Sequence, residues 1–210
     1  MTRMASQKGL LLVVSGPAGV GKGTIDSKLL ERHANMVLSV SCTTRAPRPG
    51  EIDGVHYSFI TEEDFRAMID RDEFLEYMHV FGMNYYGTPA EPVFRHMSEG
   101  RDVLLEIDVR GAMRIKDKYP EALLVFIAPP SMAELKRRLI GRGTETEESI
   151  RRRTETAAKE LEYLERYDYV VVNDTVDEAV AHMEQILAAE RDRTPRNTAF
   201  IEELKKECKL

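Results

Sequence analysis

The sequence predicts an α/β fold in which helices cover both faces of a parallel β-sheet, giving three layers. Four short runs rich in Val, Leu and Ile, at residues 10–15, 102–108, 122–128 and 167–173, are continuous rather than alternating in hydrophobicity. Strands that are buried on both faces have this pattern. Helical segments separate the runs, and strand–helix–strand alternation is typical of parallel sheets. The length of 210 residues suits one compact domain, with or without inserted lobes.

The remaining core elements follow from shorter signals. Residues 36–41, MVLSVS, predict a weaker fifth strand, and TIDSKLLERH predicts a helix after the first strand. Ser131 and Thr175 are each followed three residues later by Glu, a capping box that predicts the first turn of a helix. Gly141 is the predicted end of the helix that begins after Ser131.

Residues 42–99 depart from this alternation. They contain prolines 47, 49, 89 and 92, and the segments HYSFI, FLEYMHV and MNYYGT predict short mixed or antiparallel strands. TEEDFRAMI between them predicts a short helix capped by Thr61. The region is therefore interpreted as a lobe inserted between two core strands. A charged second insertion is predicted at about 141–153, and the tail after Pro195 predicts a short amphipathic helix.

Composition excludes several classes of protein. The net charge of −6 argues against a general nucleic-acid binder, which would carry a basic excess. No run is long enough to span a bilayer, and MTRMASQKG has no apolar signal region. Cys42 and Cys208 form no C-x-x-C pair, and no histidines pair at metal-ligand spacing. We therefore expect a cytoplasmic protein with no membrane and no nucleic-acid partner.

The segment GPAGVGKGT, directly after the first strand, predicts a phosphate-binding loop (P-loop) that binds ATP. Glycines let backbone N–H groups turn inward around an anion, the helix N-terminus adds positive potential, and Lys22 adds a full charge. The alternative is a glycine-rich turn with a solvated lysine. The predicted ATP-binding residues are Gly16, Pro17, Ala18, Gly19, Val20, Gly21, Lys22, Gly23 and Thr24.

One position departs from the general P-loop pattern. The residue after the lysine usually carries a hydroxyl that binds Mg²⁺, but here it is Gly23. We expect the Mg²⁺ of MgATP to be held by Thr24, by waters or by carboxylates. Small kinases of the nucleoside monophosphate type often carry GKGT at this place, and this segment resembles theirs.

A second anion site is predicted at Arg45 and Arg48, three residues apart in a segment stiffened by Pro47 and Pro49. Two guanidinium groups suit a terminal phosphate, because arginine binds it bidentately. Tyr57 and Tyr86 could add hydroxyl donors. A solvated basic loop is the alternative interpretation.

Glu106 and Asp108 alternate along the strand at 102–108, so both are expected to face one side at its carboxyl end. Glu106 could orient waters of Mg²⁺. The alternative for Glu106 is an acid that caps a neighbouring loop.

Five segments, SVSCTTRAPRPGE, NYYGT, EIDVRGA, FIAPPS and GRGTETEESI, together resemble the guanylate kinase family in order and approximate spacing. The resemblance covers about residues 9–190. It implies a P-loop core at about 9–41, 100–135 and 158–192, a GMP-binding lobe at about 42–99 and a lid at about 136–157. The tail at 193–210 lies outside the family's pattern. The implied reaction converts ATP and GMP to ADP and GDP.

The resemblance also implies roles for individual residues. The guanine-binding residues would be Ser41, Glu76, Thr88 and Asp108, with Glu76 as the carboxylate that faces the guanine donors. The GMP phosphate would be bound by Arg45, Arg48, Tyr57 and Tyr86. Asn173 would lie near the adenine. Catalysis would use Lys22 and Arg45 together with the lid arginines Arg142 and Arg153, while Arg138 lies in the same lid. A solvent-facing strand carboxylate is the alternative for Glu76.

Three other functions are open at this point. A kinase for another phosphorylated acceptor would not need Ser41, Glu76 and Thr88 as a guanine reader. A catalytically inactive, guanylate-kinase-like binding module would lose the P-loop, which is intact here. An NTPase that binds nucleic acid fits poorly with the acidic charge. A homo-oligomer is possible.

Overall fold

A computed structural model describes residues 8–80, 83–141 and 146–208 of the chain. Its larger sheet, the core sheet, has five parallel strands in the order β2-β7-β1-β8-β9. The strands are β1 Leu11–Ser15, β2 Met36–Leu38, β7 Asp102–Glu106, β8 Leu123–Ala128 and β9 Tyr169–Val172. All four continuous apolar runs therefore contain strands, as predicted, whereas the weaker run at 36–41 is a strand only over Met36–Leu38.

Helices cover the core sheet on both faces. The described helices are α1 Lys22–Arg32, α2 Glu62–Asp70, α3 Ala90–Ser98, α4 Val109–Lys118, α5 Met132–Gly141, α6 Glu147–Leu161, α7 Val176–Asp192 and α8 Thr198–Glu207. Of these, α2 packs in the lobe and α8 lies in the tail. Leu12 and Val14 of β1 face a cluster formed with α1, α5 and α7, whereas Leu11 and Val13 face a cluster with α3 and α4. Burial on both faces explains why the central strands β1, β7 and β8 have no polar alternation.

Local capping accounts for several helix starts. Thr61, Thr146 and Thr175 each accept a hydrogen bond from the backbone N–H three residues ahead, and the Ser131 hydroxyl accepts one from Glu134. These bonds satisfy donors that the first helical turn leaves unpaired. Within the charged segment predicted as a second insertion, residues 147–153 belong to α6, and residues 142–145 lie outside the described residues. The predicted end of α5 at Gly141 lies at the edge of the described residues.

The second sheet, the lobe sheet, is mixed and has the order β4-β3-β6-β5. Its strands are β3 Cys42–Thr43, β4 Ser58–Phe59, β5 Phe74–Val80 and β6 Asn84–Pro89. Phe65 of α2 stacks between Phe74 and Tyr85, at ring-centroid distances of 4.4 and 5.2 Å. This aromatic cluster gives the lobe a small core of its own. The boundaries of core, lobe and lid stay predictions.

Two further observations concern the surroundings of the fold. The tail forms α8, as its amphipathic pattern predicts, and its side chains are exposed or half-buried. Among the described helices, none has both the length and the apolar character needed to cross a membrane.

Candidate active site

The glycine loop lies at the carboxyl edge of the core sheet, where β1 is flanked by β7 on one side and β8 on the other. This is the topological switch point at which open α/β sheets bind ligands. Gly16, Gly19 and Gly21 have φ of +149°, +88° and +101°, which is accessible to glycine at little cost. A Cβ at Gly16 would lie 2.3 Å from the Ile127 carbonyl oxygen. The loop therefore depends on its glycines for both conformation and space.

Lys22, the first residue of α1, folds back over this loop. Its Nζ donates to the carbonyl oxygen of Gly16 at 2.6 Å and lies 3.4 Å from that of Pro17. The same Nζ is 4.0 Å from Glu106 Oε1. The ammonium group thus lies at the mouth of the loop with carbonyl oxygens on one side and a carboxylate on the other, where it can bind a phosphate oxygen.

Asn173 supports the glycine loop through a side-chain hydrogen bond to its backbone. Its Nδ2 donates to the Val20 carbonyl at 2.7 Å, and the residue is 2% exposed. A Cβ at Gly21 would lie 2.6 Å from that nitrogen. Arg138 donates to the Asn173 carbonyl at 2.9 Å. Neither Asn173 nor Arg138 lines the cavity next to the glycine loop. The predicted contact of Asn173 with adenine stays a prediction.

A cavity of about 370 Å³ opens between the glycine loop, the end of β7 and the lobe sheet. It is within the size range of small-molecule sites. The structure brings nine of the predicted site residues to its wall: Gly16, Ala18, Lys22, Ser41, Tyr57, Glu76, Tyr86, Glu106 and Asp108. Met78, Val80, Ile107 and Glu160 complete the lining.

Glu76 is a buried carboxylate on β5 and is 8% exposed. Thr88 on the neighbouring strand β6 donates its hydroxyl to Glu76 Oε1 at 2.9 Å. Burial, with a smaller effect of Asp108, raises the pKa of Glu76 from 4.5 to about 7, although the Thr88 hydroxyl opposes the shift. The alternative of a strand carboxylate that faces bulk water is therefore wrong. Thr88 is fully buried and orients Glu76 from behind instead of lining the cavity.

Asp108 reaches the cavity for a different reason from the one predicted. The strand β7 ends at Glu106, and Asp108 is the N-cap of α4. Its Oδ1 accepts a hydrogen bond from the Gly111 N–H at 2.8 Å, and its Oδ2 lies 3.6 Å from Arg110. The prediction that Glu106 and Asp108 alternate within one strand is wrong, although both side chains line the same cleft.

Arg45 is held by an acidic neighbour that sequence reasoning missed. Its guanidinium forms a bidentate pair with Glu51, at 2.6 and 2.7 Å, and its Nε donates to the Tyr86 hydroxyl at 3.1 Å. The Tyr57 ring lies 5.0 Å from the guanidinium carbon. The pair with Arg45 lowers the pKa of Glu51 to about 2.

The backbone N–H of Arg48 donates to the same carboxylate at 2.7 Å, and Arg48 is exposed. Glu51 therefore accepts three charge-assisted bonds at the predicted phosphate position. Neither Arg45 nor Arg48 lines the cavity itself. A carboxylate six residues from Arg45 in a proline-stiffened loop was the one available sequence signal for this pair.

The predicted lid arginines occupy different environments. Arg142 lies outside the described residues. Arg153 is half-buried on α6 and does not line the cavity. Arg137, Arg151 and Arg152 lie in exposed ion pairs. Glu160 of α6, in contrast, reaches the cavity wall, and burial raises its pKa.

The acidic end of β7 offers oxygen ligands for the hydrated magnesium ion of MgATP. Thr24 is exposed on α1 and does not line the cavity, whereas Glu106 does. Asp26, which sequence reasoning missed, lies against Glu106 and is 3% exposed. Burial and the neighbouring Glu106 carboxylate raise the pKa of Asp26 to about 8. The described residues contain no group of three or more His, Cys, Asp and Glu side chains that could hold a metal ion by themselves.

These features define a class of protein: a P-loop α/β phosphotransferase with a second, lobe-borne recognition site that faces its phosphate loop. The guanylate kinase family model matches residues 8–190. The chain is 49% identical over 201 residues to a guanylate kinase from Caldanaerobacter subterraneus subsp. tengcongensis, covering 96% of this chain and 97% of that relative. It is 51% identical to a guanylate kinase from Clostridium perfringens, covering 91% and 88%.

A solved structure extends the comparison to three dimensions. The crystal structure of guanylate kinase from Anaplasma phagocytophilum matches with a TM-score of 0.74 and 37% sequence identity, covering 91% of this chain and 90% of that chain. The chain belongs to the guanylate kinase family.

Proposed function

We propose that the chain transfers the γ-phosphoryl group of ATP to GMP, giving ADP and GDP, through the groups that surround this cleft. The observation that carries the proposal is that Lys22 and Glu76 line one and the same cavity. The glycine loop and Lys22 bind the phosphates of ATP, and the lobe presents the acceptor nucleotide to them. The enzyme is thus a nucleoside monophosphate kinase, as its family membership indicates.

Glu76 supplies the guanine specificity in this proposal. Guanine carries N1–H and a 2-amino group as adjacent donors, so an ionised carboxylate can accept from both. The Thr88 hydroxyl donates a hydrogen bond to Glu76 Oε1 and fixes the orientation of the carboxylate. AMP presents a lone pair at N1, so the buried carboxylate would be left unpaired. Mismatches of this kind discriminate by several orders of magnitude in sites built around hydrogen bonds.

The GMP phosphate binds at Arg45, Arg48, Tyr57 and Tyr86 in this proposal. Glu51 holds the Arg45 guanidinium in place, so that its remaining N–H and the Tyr86 hydroxyl are arranged before the substrate arrives. Preorganised donors cost less to align than mobile ones. Ser41 and Asp108, both on the cavity wall, contact the base or ribose side.

The reaction requires no general base. The attacking GMP phosphate is already an anion, so positioning and neutralisation of charge supply the catalysis. Lys22 neutralises charge on ATP, Arg45 on GMP, and Arg142 and Arg153 complete the charge neutralisation from the lid. ATP enters as MgATP, with its metal ion near Glu106. A location in the cytoplasm and homo-oligomer formation stay predictions.

The test is ADP formation from MgATP, with GMP, AMP, CMP, UMP and dTMP offered separately. We expect turnover with GMP and less than about 1% of that rate with AMP, given the unpaired carboxylate that AMP leaves. Equal rates with GMP and AMP would contradict the role of Glu76. Turnover with none of them, despite ATP binding, would favour the binding-module alternative.

A further inference from the structure

Asp26 is a buried carboxylate. The phosphotransfer reaction does not by itself explain why a carboxylate is buried at this place in the fold. It lies on α1, three residues after Gly23 and four after Lys22, so that all three share one face of the helix. Among residues 8–80, 83–141 and 146–208, neither of its carboxylate oxygens has a hydrogen-bond donor. The carboxyl group of Glu106 and the ammonium group of Lys22 are charged neighbours of Asp26.

Two adjacent carboxylates, one of which is buried, are costly unless a cation compensates them. Lys22 contributes part of the compensation, but its ammonium donates to the Gly16 and Pro17 carbonyl oxygens and stays 4.0 Å from Glu106. The Glu106 side chain is 40% exposed and faces the cleft, while Asp26 lies behind it. The pair therefore presents one accessible carboxylate supported by a second, buried one.

Gly23 leaves space in front of this pair. A Cβ built at position 23 has Glu106 Oε2 as its nearest neighbour, at 3.8 Å, which is ordinary van der Waals contact. A hydroxyl at this position is the usual P-loop ligand of Mg²⁺. Position 23 thus lacks the hydroxyl that usually binds Mg²⁺, and the carboxylates of Asp26 and Glu106 lie at the same point of the site.

We propose that Asp26 and Glu106 act together as the acidic group that holds the hydrated magnesium ion of MgATP, replacing the hydroxyl that is missing at position 23. Glu106 accepts hydrogen bonds from the ion's waters. Asp26 orients Glu106 and, once the bound cation favours its ionised form, adds a second negative charge. Mg²⁺ releases its waters reluctantly and commonly keeps several of them when it binds to proteins. Asp26 is accordingly a positioning residue. The inference rests on the proposed binding of MgATP at the Lys22 loop.

The test is calorimetric titration of ADP, with saturating Mg²⁺ and with a chelator, into the full chain and its Asp26→Asn variant. The readout is the ratio of the two ADP affinities. We expect Asp26→Asn to lower this ratio by about 10- to 100-fold, the usual effect of losing a partner of a metal-binding group. Metal-free ADP affinity should stay unchanged. Glu31→Gln, an exposed carboxylate on the same helix, is the matched control and should leave the ratio unchanged.

A second pair of variants separates the metal-binding role from a packing role. In the Asp26→Asn background, Gly23→Ser returns the hydroxyl and should restore the ratio, whereas Gly23→Ala adds the same Cβ and should not. An unchanged ratio in Asp26→Asn, or equal restoration by Ser and Ala, would overturn the inference. If Asp26→Asn does not fold, Glu106→Gln measures the same ratio, and no change there would overturn it too. A wild-type chain that binds no ADP in either condition would instead contradict the proposed function.

Discussion

The core sheet and the lobe sheet each carry one half of the proposed site, and the two sheets differ in how many apolar side chains they bury. The three central strands of the core sheet are lined almost entirely by buried Leu, Val, Ile and Phe. The lobe sheet includes two strands of only two residues each, and its buried cluster consists of Cys42, Phe65 and Phe74. Regions with few buried apolar contacts open at lower free energy. The phosphate loop is therefore anchored on the rigid element and the guanine reader on the more easily opened one.

This division has a functional consequence. In the proposed reaction the ATP phosphates bind to a preformed loop, whose glycines and lysine are fixed by backbone contacts. The acceptor-binding groups come from separate strands and loops, and they are held by side-chain pairs such as Glu76–Thr88 and Arg45–Glu51. Closing of such a lobe over ATP would exclude water, which a phosphotransferase requires to avoid hydrolysis. The predictions below separate the two sheets experimentally.

The largest expected effect is on the core side. Lys22→Ala should lower kcat by about 1000-fold or more, because it removes the charge that neutralises the transferring phosphates. The free energy of unfolding should change little. Lys28→Ala is the control, since Lys28 lies on the same helix in an exposed pair with Asp177. A Lys22→Ala enzyme that keeps a tenth of wild-type kcat would refute the assignment.

Truncation within the two hydrophobic cores should give the next largest effects and distinguish the sheets directly. Leu104→Ala in the core sheet and Phe65→Ala in the lobe each remove a fully buried side chain, at a cost of about 3–5 kcal/mol. Leu104→Ala should lower amide protection throughout the chain. Phe65→Ala should lower it mainly in residues 42–89 and weaken GMP binding, with ADP binding retained. Hydrogen exchange measures both, and equal loss of protection everywhere in Phe65→Ala would show that the lobe has no stability of its own.

Glu76→Gln should lower kcat/KM for GMP by about 100-fold, because the amide places a donor against the donors of guanine. The preference for GMP over AMP should fall with it. Glu73→Gln is the control, because Glu73 is an exposed carboxylate just before the same strand. Kinetics with the two nucleotides would contradict the prediction if Glu76→Gln kept the wild-type preference.

The same carboxylate makes the lobe sensitive to pH. The pKa of Glu76 is about 7 in the folded chain, against an ordinary value of 4.5. Wild-type stability should therefore decrease as pH rises from about 4.5 to about 7, by about 3 kcal/mol in all. Glu76→Gln should be more stable than the wild type at pH 8 and similar to it near pH 4. GMP affinity should weaken below pH 7, as the carboxylate of the free enzyme becomes protonated. Denaturant unfolding and GMP titration across pH measure the two trends.

The smallest expected effect is that of Arg45→Ala, which should raise KM for GMP by about tenfold. Arg48, Tyr57 and Tyr86 remain to bind the phosphate in this variant. ADP affinity should not change, since the residue lies in the lobe. Arg66→Ala, which removes an exposed lobe arginine paired with Glu62, is the control. Unchanged GMP kinetics in Arg45→Ala would remove this residue from the phosphate site.

The sequence by itself determined the elements whose signals are local. Apolar runs identified the core strands. For the three central strands the reason is that a strand covered on both faces has no polar alternation to show. The order of glycines and a lysine after the first strand identified the phosphate loop, since the conformation and the anion site come from the same few backbone groups. Thr61, Ser131 and Thr175 marked helix starts through bonds that span only three residues.

Tertiary structure decided the partners of each polar group. Asn173 binds the loop at Val20, a residue 153 positions away in the chain. Asp108 became a helix cap because β7 ended two residues before it, and Asp26 met Glu106 only because α1 packs against the end of β7. Such contacts depend on how elements pack across the sheet, and no local pattern encodes them. The residue types that bind nucleotide were readable in the sequence, whereas the geometry that orients them was set by packing.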